Sequence, residues 1–295
     1  MIRVLISDKL SPEAIKLLQD SPEFEVDVGQ DFLRQIEVYD ALLIRSQTKA
    51  NAQLISKASK LKMIGRAGVG LDNVDQEAAK SRSIEVFNTP QGNLVSTAEH
   101  TIALLMALVR HIPQATTSMK QGKWEKSEFV GTELRDKTLG VIGLGRVGQI
   151  VADLAKGLRM KVIAHDPVVK SPLNVPLKEL YAESDFITIH VPLTAQTQNL
   201  VANKAFEQMK DGVKLLHAAR GGIVDEAALL QALKSGKVSG AALDVFKEEP
   251  PLEGDQLVSH PNVICTPHLA ASTHEAQKKV GLELIERTKS FFSVI

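Results

Sequence analysis

The chain has one cysteine, Cys265, one tryptophan and two tyrosines among its 295 residues. A single cysteine excludes a disulfide framework and a cysteine-ligated zinc cluster, and such sparse use of cysteine fits a reducing compartment. Neither sign of charge is in excess, because 35 Lys and Arg balance 35 Asp and Glu. Proteins that bind nucleic acid usually carry a basic surplus, so we expect no nucleic-acid partner.

Long apolar segments are also missing. The longest run, residues 102–109, falls far short of the roughly 20 residues that span a bilayer. The apolar start of the chain meets Asp8 and Lys9 too early for a signal peptide. We therefore expect a cytoplasmic protein without a membrane segment. An apolar content of 44% with 24% charged residues excludes disorder, collagen and coiled coil.

Short β-rich apolar segments alternate with helical patterns along the chain, which is long enough for two lobes. This alternation predicts the α/β class, with parallel sheets covered by helices on both faces. Strands are predicted at residues 4–6, 24–28, 41–44, 63–64, 84–87, 139–142, 161–165, 186–190, 213–217, 240–244 and 263–265. Helices are predicted at residues 11–19, 51–59, 74–81, 147–157, 177–183, 204–209, 226–235 and 273–292.

Residues 94–120 interrupt the alternation with one long helical region that contains Pro113. Its stretch 102–109 is apolar almost all round, which indicates burial on more than one side. The pattern fits either a core helix between domains or a subunit interface. Because an isologous dimer is the commonest oligomer among soluble proteins, our hypothesis is a homodimer through residues 94–120.

A Gly-Leu-Gly-Arg-Val-Gly segment directly follows a predicted strand and opens a predicted helix. Gly143 and Gly145 permit a tight turn that approaches a pyrophosphate, and Gly148 lets the helix pack closely on the strand. Asp166 ends the next strand, where a carboxylate can bind a ribose 2′-OH and repel a 2′-phosphate. These residues predict a dinucleotide site that favours NAD over NADP. The alternative for Asp166 is a residue that merely starts the turn at Pro167.

Polar side chains follow three later predicted strands: Arg220, Glu249 beside Glu248, and His268. In an open parallel sheet, ligands bind at the carboxyl ends of the strands. An arginine there can hold a carboxylate, and a histidine can exchange a hydroxyl proton near neutral pH. A neighbouring carboxylate would orient the histidine ring. The set favours a dehydrogenase acting on a secondary alcohol, although each residue alone is explained as well by a structural role or a surface charge.

Together with further segments, these motifs make the chain similar to the D-2-hydroxyacid dehydrogenases. The matching stretches are residues 65–75, 88–93, 143–148, 219–226, 242–246, 249–250 and 266–269. The resemblance implies two doubly wound, Rossmann-like parallel-sheet domains. A flavodoxin-like substrate domain is expected from residues 1–92 and 272–295, with an NAD-binding domain of residues 93–271 inserted between them.

The resemblance also implies a role for each matching residue. His268 is expected to act as the acid and base, Glu249 as its carboxylate partner and Arg220 as the binder of the substrate carboxylate and carbonyl. Contacts to NAD are expected at Val69, Gly143, Gly145, Arg146, Val147, Gly148, Asp166, Val191, Ala218, Ala219, Arg220, Asp244, His268, Leu269, Ala270 and Ala271. Contacts to the substrate are expected at Arg45, Arg66, Ala67, Gly68, Lys126, Arg220 and His268, and no metal is expected.

Residues 122–126 and 131–134 resemble the members of this family that oxidise 3-phospho-D-glycerate to 3-phosphohydroxypyruvate, the first step of serine biosynthesis. A small phosphorylated hydroxy acid is therefore the expected substrate, with Arg45, Arg66 and Lys126 as candidate ligands of its phosphate. The alternatives are glycerate or D-lactate as substrate, or an NAD-sensing, co-repressor-like binding protein. Longer members carry C-terminal regulatory domains that sense serine, and control of that kind is not expected of the chain as given.

Overall fold

The structure, a computed structural model, describes residues 1–293. Their contacts divide them into two compact units. The first consists of Met1–Asn93 with the described residues from Ala271 onward, and the second consists of Leu94–Ala270. Each unit is built on one parallel sheet, so the predicted class of two α/β domains is confirmed.

The elements follow one another in the alternating order that the sequence predicts. The strands are β1 (Ile2–Ile6), β2 (Phe24–Val28), β3 (Ala41–Ile44), β4 (Met63–Arg66), β5 (Glu85–Asn88), β6 (Thr138–Ile142), β7 (Lys161–His165), β8 (Phe186–Ile189), β9 (Val213–His217), β10 (Val238–Leu243) and β11 (Val263–Cys265). The α-helices are α1 (Pro12–Gln19), α2 (Ala52–Lys57), α3 (Gln76–Ser81), α4 (Leu94–Val109), α5 (Ile112–Lys120), α6 (Arg146–Gly157), α7 (Leu177–Glu183), α8 (Asn203–Gln208), α9 (Glu226–Ser235) and α10 (His274–Ser293). Two 3-10 helices, Gln30–Val38 and Lys126–Phe129, were not predicted.

The sheet of the first unit has the order β2-β1-β3-β4-β5, which is the flavodoxin-like order. Successive residues of a strand point to opposite faces, and each face packs on different helices. Leu42 and Ile44 lie in the cluster that contains Ile55 of α2, while Leu43 lies in the cluster that contains Leu284 of α10. A strand that is apolar at every position is therefore buried on both sides, as a parallel sheet requires.

The sheet of the second unit has the order β11-β10-β9-β8-β6-β7. Its two faces are also distinct, since Ala241 and Leu243 of β10 lie in one core cluster and Ala242 in the other. The chain runs from β6 outward to β7 and then returns to β8 on the other side of β6. The carboxyl ends of β6 and β8 therefore flank the switch point of the sheet, where open α/β sheets bind ligands.

The prediction of one continuous helical region over residues 94–120 is wrong. The chain forms two helices, α4 and α5, separated at His111, whose φ of +52° is left-handed. Pro113 lies in the first turn of α5, where its missing N–H and fixed φ are tolerated, whereas inside a continuous helix it would remove a hydrogen bond. Among residues 1–293, no helix has both the length and the apolar composition needed to cross a membrane.

Candidate active site

A glycine-rich loop joins β6 to α6 at the switch point of the second unit. A Cβ atom added at Gly148 would lie 2.0 Å from the carbonyl oxygen of Gly143, so glycine lets α6 pack directly on the end of β6. Gly143 has a φ of +93° and lies against the segment after β8. A Cβ atom there would be 2.6 Å from the oxygen of His190 and 2.7 Å from Cγ1 of Val191. The structure thus brings Gly143, Gly148 and Val191 together.

The N-terminus of α6 has Gly145 at its cap position and no capping hydrogen bond from a side chain. Five other helices are capped by a side-chain oxygen that accepts a backbone N–H of the first turn. The capping side chains are those of Ser11, Asn51, Asp75, Asp225 and Thr273. The first N–H groups of a helix have no partner within it and, with the helix dipole, attract a phosphate. An α6 N-terminus with Gly145, Arg146 and Val147, and no side-chain cap, therefore fits the diphosphate of a dinucleotide.

Asp166 follows β7, and its carboxylate accepts three backbone N–H groups. Oδ2 accepts from Leu144 at 2.8 Å, and Oδ1 accepts from Val168 and Val169 at 2.8 and 2.9 Å. Burial raises the pKa of Asp166, but these N–H groups outweigh burial and hold the pKa below its ordinary value. The carboxylate is therefore charged at neutral pH. It closes the local turn and also anchors the glycine-rich loop at Leu144.

The side chains of His268, which follows β11, and Glu249, which follows β10, form a direct hydrogen-bonded pair. His268 Nδ1 lies 2.8 Å from Glu249 Oε2, and Glu249 Oε1 accepts the backbone N–H of Phe246 at 3.1 Å. Burial raises the pKa of Glu249, but the bonds from His268 and Phe246 and the charge of Arg220 lower it below its ordinary value. Because the carboxylate can only accept, Nδ1 of His268 carries the shared proton, and Nε2 is the ring atom left for chemistry.

The loop after β9 carries Arg220 toward this pair. A Cβ atom added at Gly221 would lie 1.8 Å from the carbonyl oxygen of Phe246, so the loop crosses directly on the backbone that leads to the glutamate. The ring of His217 stabilises the loop, because its Nε2 donates a hydrogen bond to the carbonyl of Arg220 at 2.8 Å. Burial lowers the pKa of His217 to about 4, which keeps the ring neutral. The sequence analysis did not single out His217, although a histidine ending an apolar strand was the available signal.

Asp244 has no exposed surface, and its carboxylate binds the turn that carries His268. Oδ1 accepts from the hydroxyl of Thr266 at 2.6 Å and from the N–H of Leu269 at 2.7 Å, and Oδ2 accepts from the N–H of Ala270 at 2.9 Å. The N–H of His268 donates to the backbone carbonyl of Asp244 at 2.9 Å. Burial raises the pKa of Asp244, but the surrounding hydrogen bonds lower it below its ordinary value. One buried carboxylate therefore fixes the whole turn.

The first unit holds the other group of predicted residues. Arg45 follows β3, Arg66 is the last residue of β4, and Ala67, Gly68 and Val69 follow β4. The N–H of Arg45 donates to the buried carboxylate of Asp8 at 2.7 Å. A Cβ atom added at Gly68 would lie 2.1 Å from Nη1 of Arg66, so the loop folds against this guanidinium. The N–H of Gly68 donates to Thr89 Oγ1 at 2.7 Å. Two arginines therefore lie at the carboxyl ends of adjacent parallel strands of this unit.

The remaining predicted residues have less defined surroundings. Lys126 lies in an exposed 3-10 helix and not at the end of a strand. Ala218 and Ala219 lie between β9 and Arg220, and Ala271 is assigned to the first unit. Over residues 1–293, no three His, Cys, Asp or Glu side chains come close enough to hold a metal ion.

The sequence of this chain is similar to those of known proteins over most of its length. The family model described as D-isomer specific 2-hydroxyacid dehydrogenase, NAD binding domain, matches residues 102–270. A D-3-phosphoglycerate dehydrogenase of Archaeoglobus fulgidus is 51% identical over 296 residues, covering 97% of this chain and 56% of that protein. The chain spans about half the length of the curated relatives it matches.

Solved structures resemble the chain over its full length. The TT0316 protein from Thermus thermophilus has a TM-score of 0.92 at 32% identity, with 99% of this chain and 97% of that chain covered. A D-lactate dehydrogenase from Aquifex aeolicus, solved with NAD and lactic acid, has a TM-score of 0.86 at 31% identity, with 99% and 96% covered. The fold described above is thus shared with these proteins.

The close crossing at Gly221 generates a prediction. Gly221→Ala should lower the free energy of unfolding by about 1–3 kcal/mol, because its Cβ overlaps the carbonyl of Phe246 and the loop must shift. Gly157→Ala is the matched control, since a Cβ there meets nothing within 4 Å, and it should be neutral or slightly stabilising. Urea unfolding of both variants measures the difference, and equal stability would contradict the crossing.

Proposed function

The chain belongs to the D-isomer specific 2-hydroxyacid dehydrogenases, and on this premise we propose that it oxidises 3-phospho-D-glycerate to 3-phosphohydroxypyruvate with NAD. The single observation that carries the proposal is the 2.8 Å contact between His268 Nδ1 and Glu249 Oε2, with Arg220 close enough to lower the pKa of that glutamate. Identity of 43–51% to D-3-phosphoglycerate dehydrogenases over nearly the whole chain supports the choice of substrate. We propose that this reaction is the first step of serine biosynthesis and takes place in the cytoplasm.

The proton is handled by His268. Nε2 takes the hydroxyl proton of the substrate during oxidation, while the charge of Glu249 stabilises the imidazolium that forms. In the reverse direction, the same atom returns the proton to the carbonyl oxygen. Arg220 holds the substrate carboxylate through its planar guanidinium and so orients the carbon that loses its hydride. Bound NAD supplies the acceptor for that hydride.

The second unit is the proposed NAD-binding domain. The N-terminus of α6 would hold the diphosphate, and Asp166 would hold the ribose hydroxyls. We propose as cofactor contacts Val69, Gly143, Gly145, Arg146, Val147, Gly148, Asp166, Val191, Ala218, Ala219, Arg220, Asp244, His268, Leu269, Ala270 and Ala271. The glycine-rich loop supports this assignment, because an added Cβ at Gly143 or Gly148 would overlap backbone atoms.

The first unit is the proposed substrate domain. Arg45 and Arg66 lie at the carboxyl ends of adjacent parallel strands, and such strand ends are where open sheets bind ligands. We assign these arginines to the substrate phosphate, with Ala67 and Gly68 as backbone contacts. Lys126 is the third proposed cation for the phosphate, and it stands on its charge and exposure alone.

A panel of 2-hydroxy acids followed by NADH absorbance tests the function. Because the proposed cations bind the substrate phosphate, kcat/KM for 3-phospho-D-glycerate should exceed that for D-glycerate and D-lactate by at least about tenfold. Arg45→Gln should reduce this ratio while leaving the rate with D-lactate nearly unchanged. A preference for D-lactate would favour the second candidate, which the Aquifex aeolicus structure supports by its likeness. Binding of NAD without turnover of any 2-hydroxy acid would indicate a sensor.

The charge of Glu249 sets the expected pH dependence. Glu249 has a lowered pKa, so its stabilising charge is present at neutral pH and is lost only as the pH falls through that value. Glu249→Gln removes the charge that favours imidazolium, so the rise of kcat/KM for oxidation should move to lower pH. A small shift is expected because the two side chains are 41% and 38% exposed, which lets solvent screen the pair. An unmoved profile would remove Glu249 from the mechanism.

The charge of Asp166 generates a prediction about cofactor choice. Asp166→Asn keeps a carbonyl oxygen for the N–H groups of Val168 and Val169 but removes the charge that repels a 2′-phosphate. The ratio of kcat/KM for NAD to that for NADP should fall by about tenfold. Asp166→Ala should lower the ratio and weaken NAD binding further, because Val168 and Val169 then also lose their acceptor, whereas Leu144 loses its acceptor in both variants. If neither variant changes the ratio, the residue is only part of the turn.

We also propose a homodimer through residues 94–120. Exposed large apolar side chains are concentrated in and just after this region: Val95, Met106, Ile112, Met119, Trp124 and Val130. Trp124 is 81% exposed, which is unusual for the only tryptophan of a chain. The proposed interface therefore extends past α5 to the segment before β6.

Light scattering at micromolar concentration tests this assembly. We expect a mass of about 64 kDa, twice the 32.1 kDa of the chain. Ile112→Glu combined with Met119→Glu should give a monomer, because each places a charge in the apolar surface. Val28→Glu, at an exposed apolar residue of the first unit, should leave the mass unchanged. A monomeric wild-type chain would disprove the dimer.

A further inference from the structure

His100 lies on α4, and its ring meets the carboxylate that fixes the turn of His268. Nε2 of His100 is 3.3 Å from Asp244 Oδ1 and 3.2 Å from Thr266 Oγ1. The hydroxyl of Thr266 is in turn 2.6 Å from the same Oδ1. Three polar atoms from α4, from the end of β10 and from the segment after β11 therefore form one triangle inside the second unit.

The direction of each hydrogen bond in this triangle follows from what the groups can donate. An ionised carboxylate only accepts, so the hydroxyl of Thr266 gives its single proton to Asp244. That hydroxyl has only lone pairs left to offer to the ring of His100. Nε2 of His100 must therefore carry a hydrogen, which points between Oδ1 and Oγ1. The donor role of Nε2 thus follows from the geometry and leaves no alternative tautomer that satisfies all three groups.

Asp244 depends on such donors because it has no exposed surface. A buried carboxylate that loses a donor keeps its charge only at a high cost in free energy. His217 is the other histidine near this carboxylate, but its Nε2 donates to the carbonyl of Arg220, and burial holds its ring neutral. The side-chain donors of Asp244 are therefore Thr266, which belongs to the turn itself, and His100, which comes from outside it.

The helix that presents His100 is held rigidly. Leu105 and Leu108 of α4 are buried in the same core cluster as Leu216 of β9, Ala242 of β10 and Ile264 of β11. His100 therefore lies on a helix that packs against three strands of the sheet, whereas Leu269 and Ala270 lie in a turn without regular structure. A rigid donor and a buried acceptor can together hold a turn that has no other secondary structure.

We propose that His100 is a positioning residue for the acid–base histidine. Its Nε2–H stabilises the Asp244–Thr266 contact, which holds the N–H groups of Leu269 and Ala270 and with them the left-handed conformation of His268, whose φ is +52°. The kinetic part of this inference rests on the proposed function. The structural part concerns the protein alone.

Amide hydrogen exchange in the protein without ligands tests the structural part. His100→Leu removes the donor, and the N–H groups of Leu269 and Ala270 should exchange about five- to tenfold faster, the effect of one lost hydrogen bond. His100→Gln places an amide nitrogen where Nε2 lies, and it should restore wild-type exchange to within about twofold. The N–H groups of Val168 and Val169, which donate to Asp166 in the same unit, are the internal control and should be unchanged.

Steady-state kinetics with the best 2-hydroxy acid of the panel test the kinetic part. In His100→Leu, kcat should fall about tenfold, while KM for the 2-hydroxy acid stays within about twofold, because proton transfer by His268 is disturbed and the hold of Arg220 on the substrate carboxylate is not. His100→Gln should recover kcat. If His100→Leu does not fold, His100→Asn serves the same comparison, because its shorter amide does not reach the carboxylate.

The outcomes separate this inference from the function on which it rests. Unchanged exchange at Leu269 and Ala270 in both His100→Leu and His100→Asn would overturn the positioning role, whatever the wild-type chain turns over. Equal losses at these amides and at Val168 and Val169 would also overturn it, since they would indicate general destabilisation. A wild-type chain that turns over no 2-hydroxy acid would overturn the proposed function and leave the exchange result to decide the role of His100.

Discussion

A carboxylate without exposed surface must have its charge met by hydrogen-bond donors, and Asp244 finds them in the turn that carries His268, the proposed acid–base residue. This constraint links the sheet to the chemistry. Asp244 is fixed at the end of β10, so the turn that binds it is fixed as well, and His268 is held facing Glu249. The precision of the site therefore comes from strand ends and not from the loops themselves.

The same use of strand ends explains how distant parts of the sequence meet. Arg220 follows β9, the glutamate follows β10 and the histidine follows β11, and these three strands are neighbours in the sheet. Parallel strands place all their carboxyl ends at one edge. The glycine-rich loop and Val191 occupy the same edge at the switch point. One sheet edge thus carries the proposed cofactor contacts of the second unit together with the proposed catalytic residues.

Much of this could be predicted, because apolar segments of strand length alternate with helical patterns and because Asp166, Arg220 and His268 each come within three residues of the end of a strand. The contacts that organise the site could not. The crossing of Gly221 on Phe246 and the triangle of His100, Thr266 and Asp244 join residues more than 20 positions apart, and no local pattern encodes such contacts. The break at His111 was missed because helical periodicity continues on both sides of it, so the apolar pattern outweighed Pro113.

We propose that Nε2 of His268 takes the hydroxyl proton of the substrate. The most direct measurement is turnover by His268→Ala beside calorimetric binding of NAD to the same variant. We expect kcat to fall by at least about 100-fold, the lower end of general acid–base contributions, while NAD binding is largely retained. A variant that keeps near-normal turnover with NAD bound would contradict the account, because the Glu249–His268 pair would then have no part in the reaction.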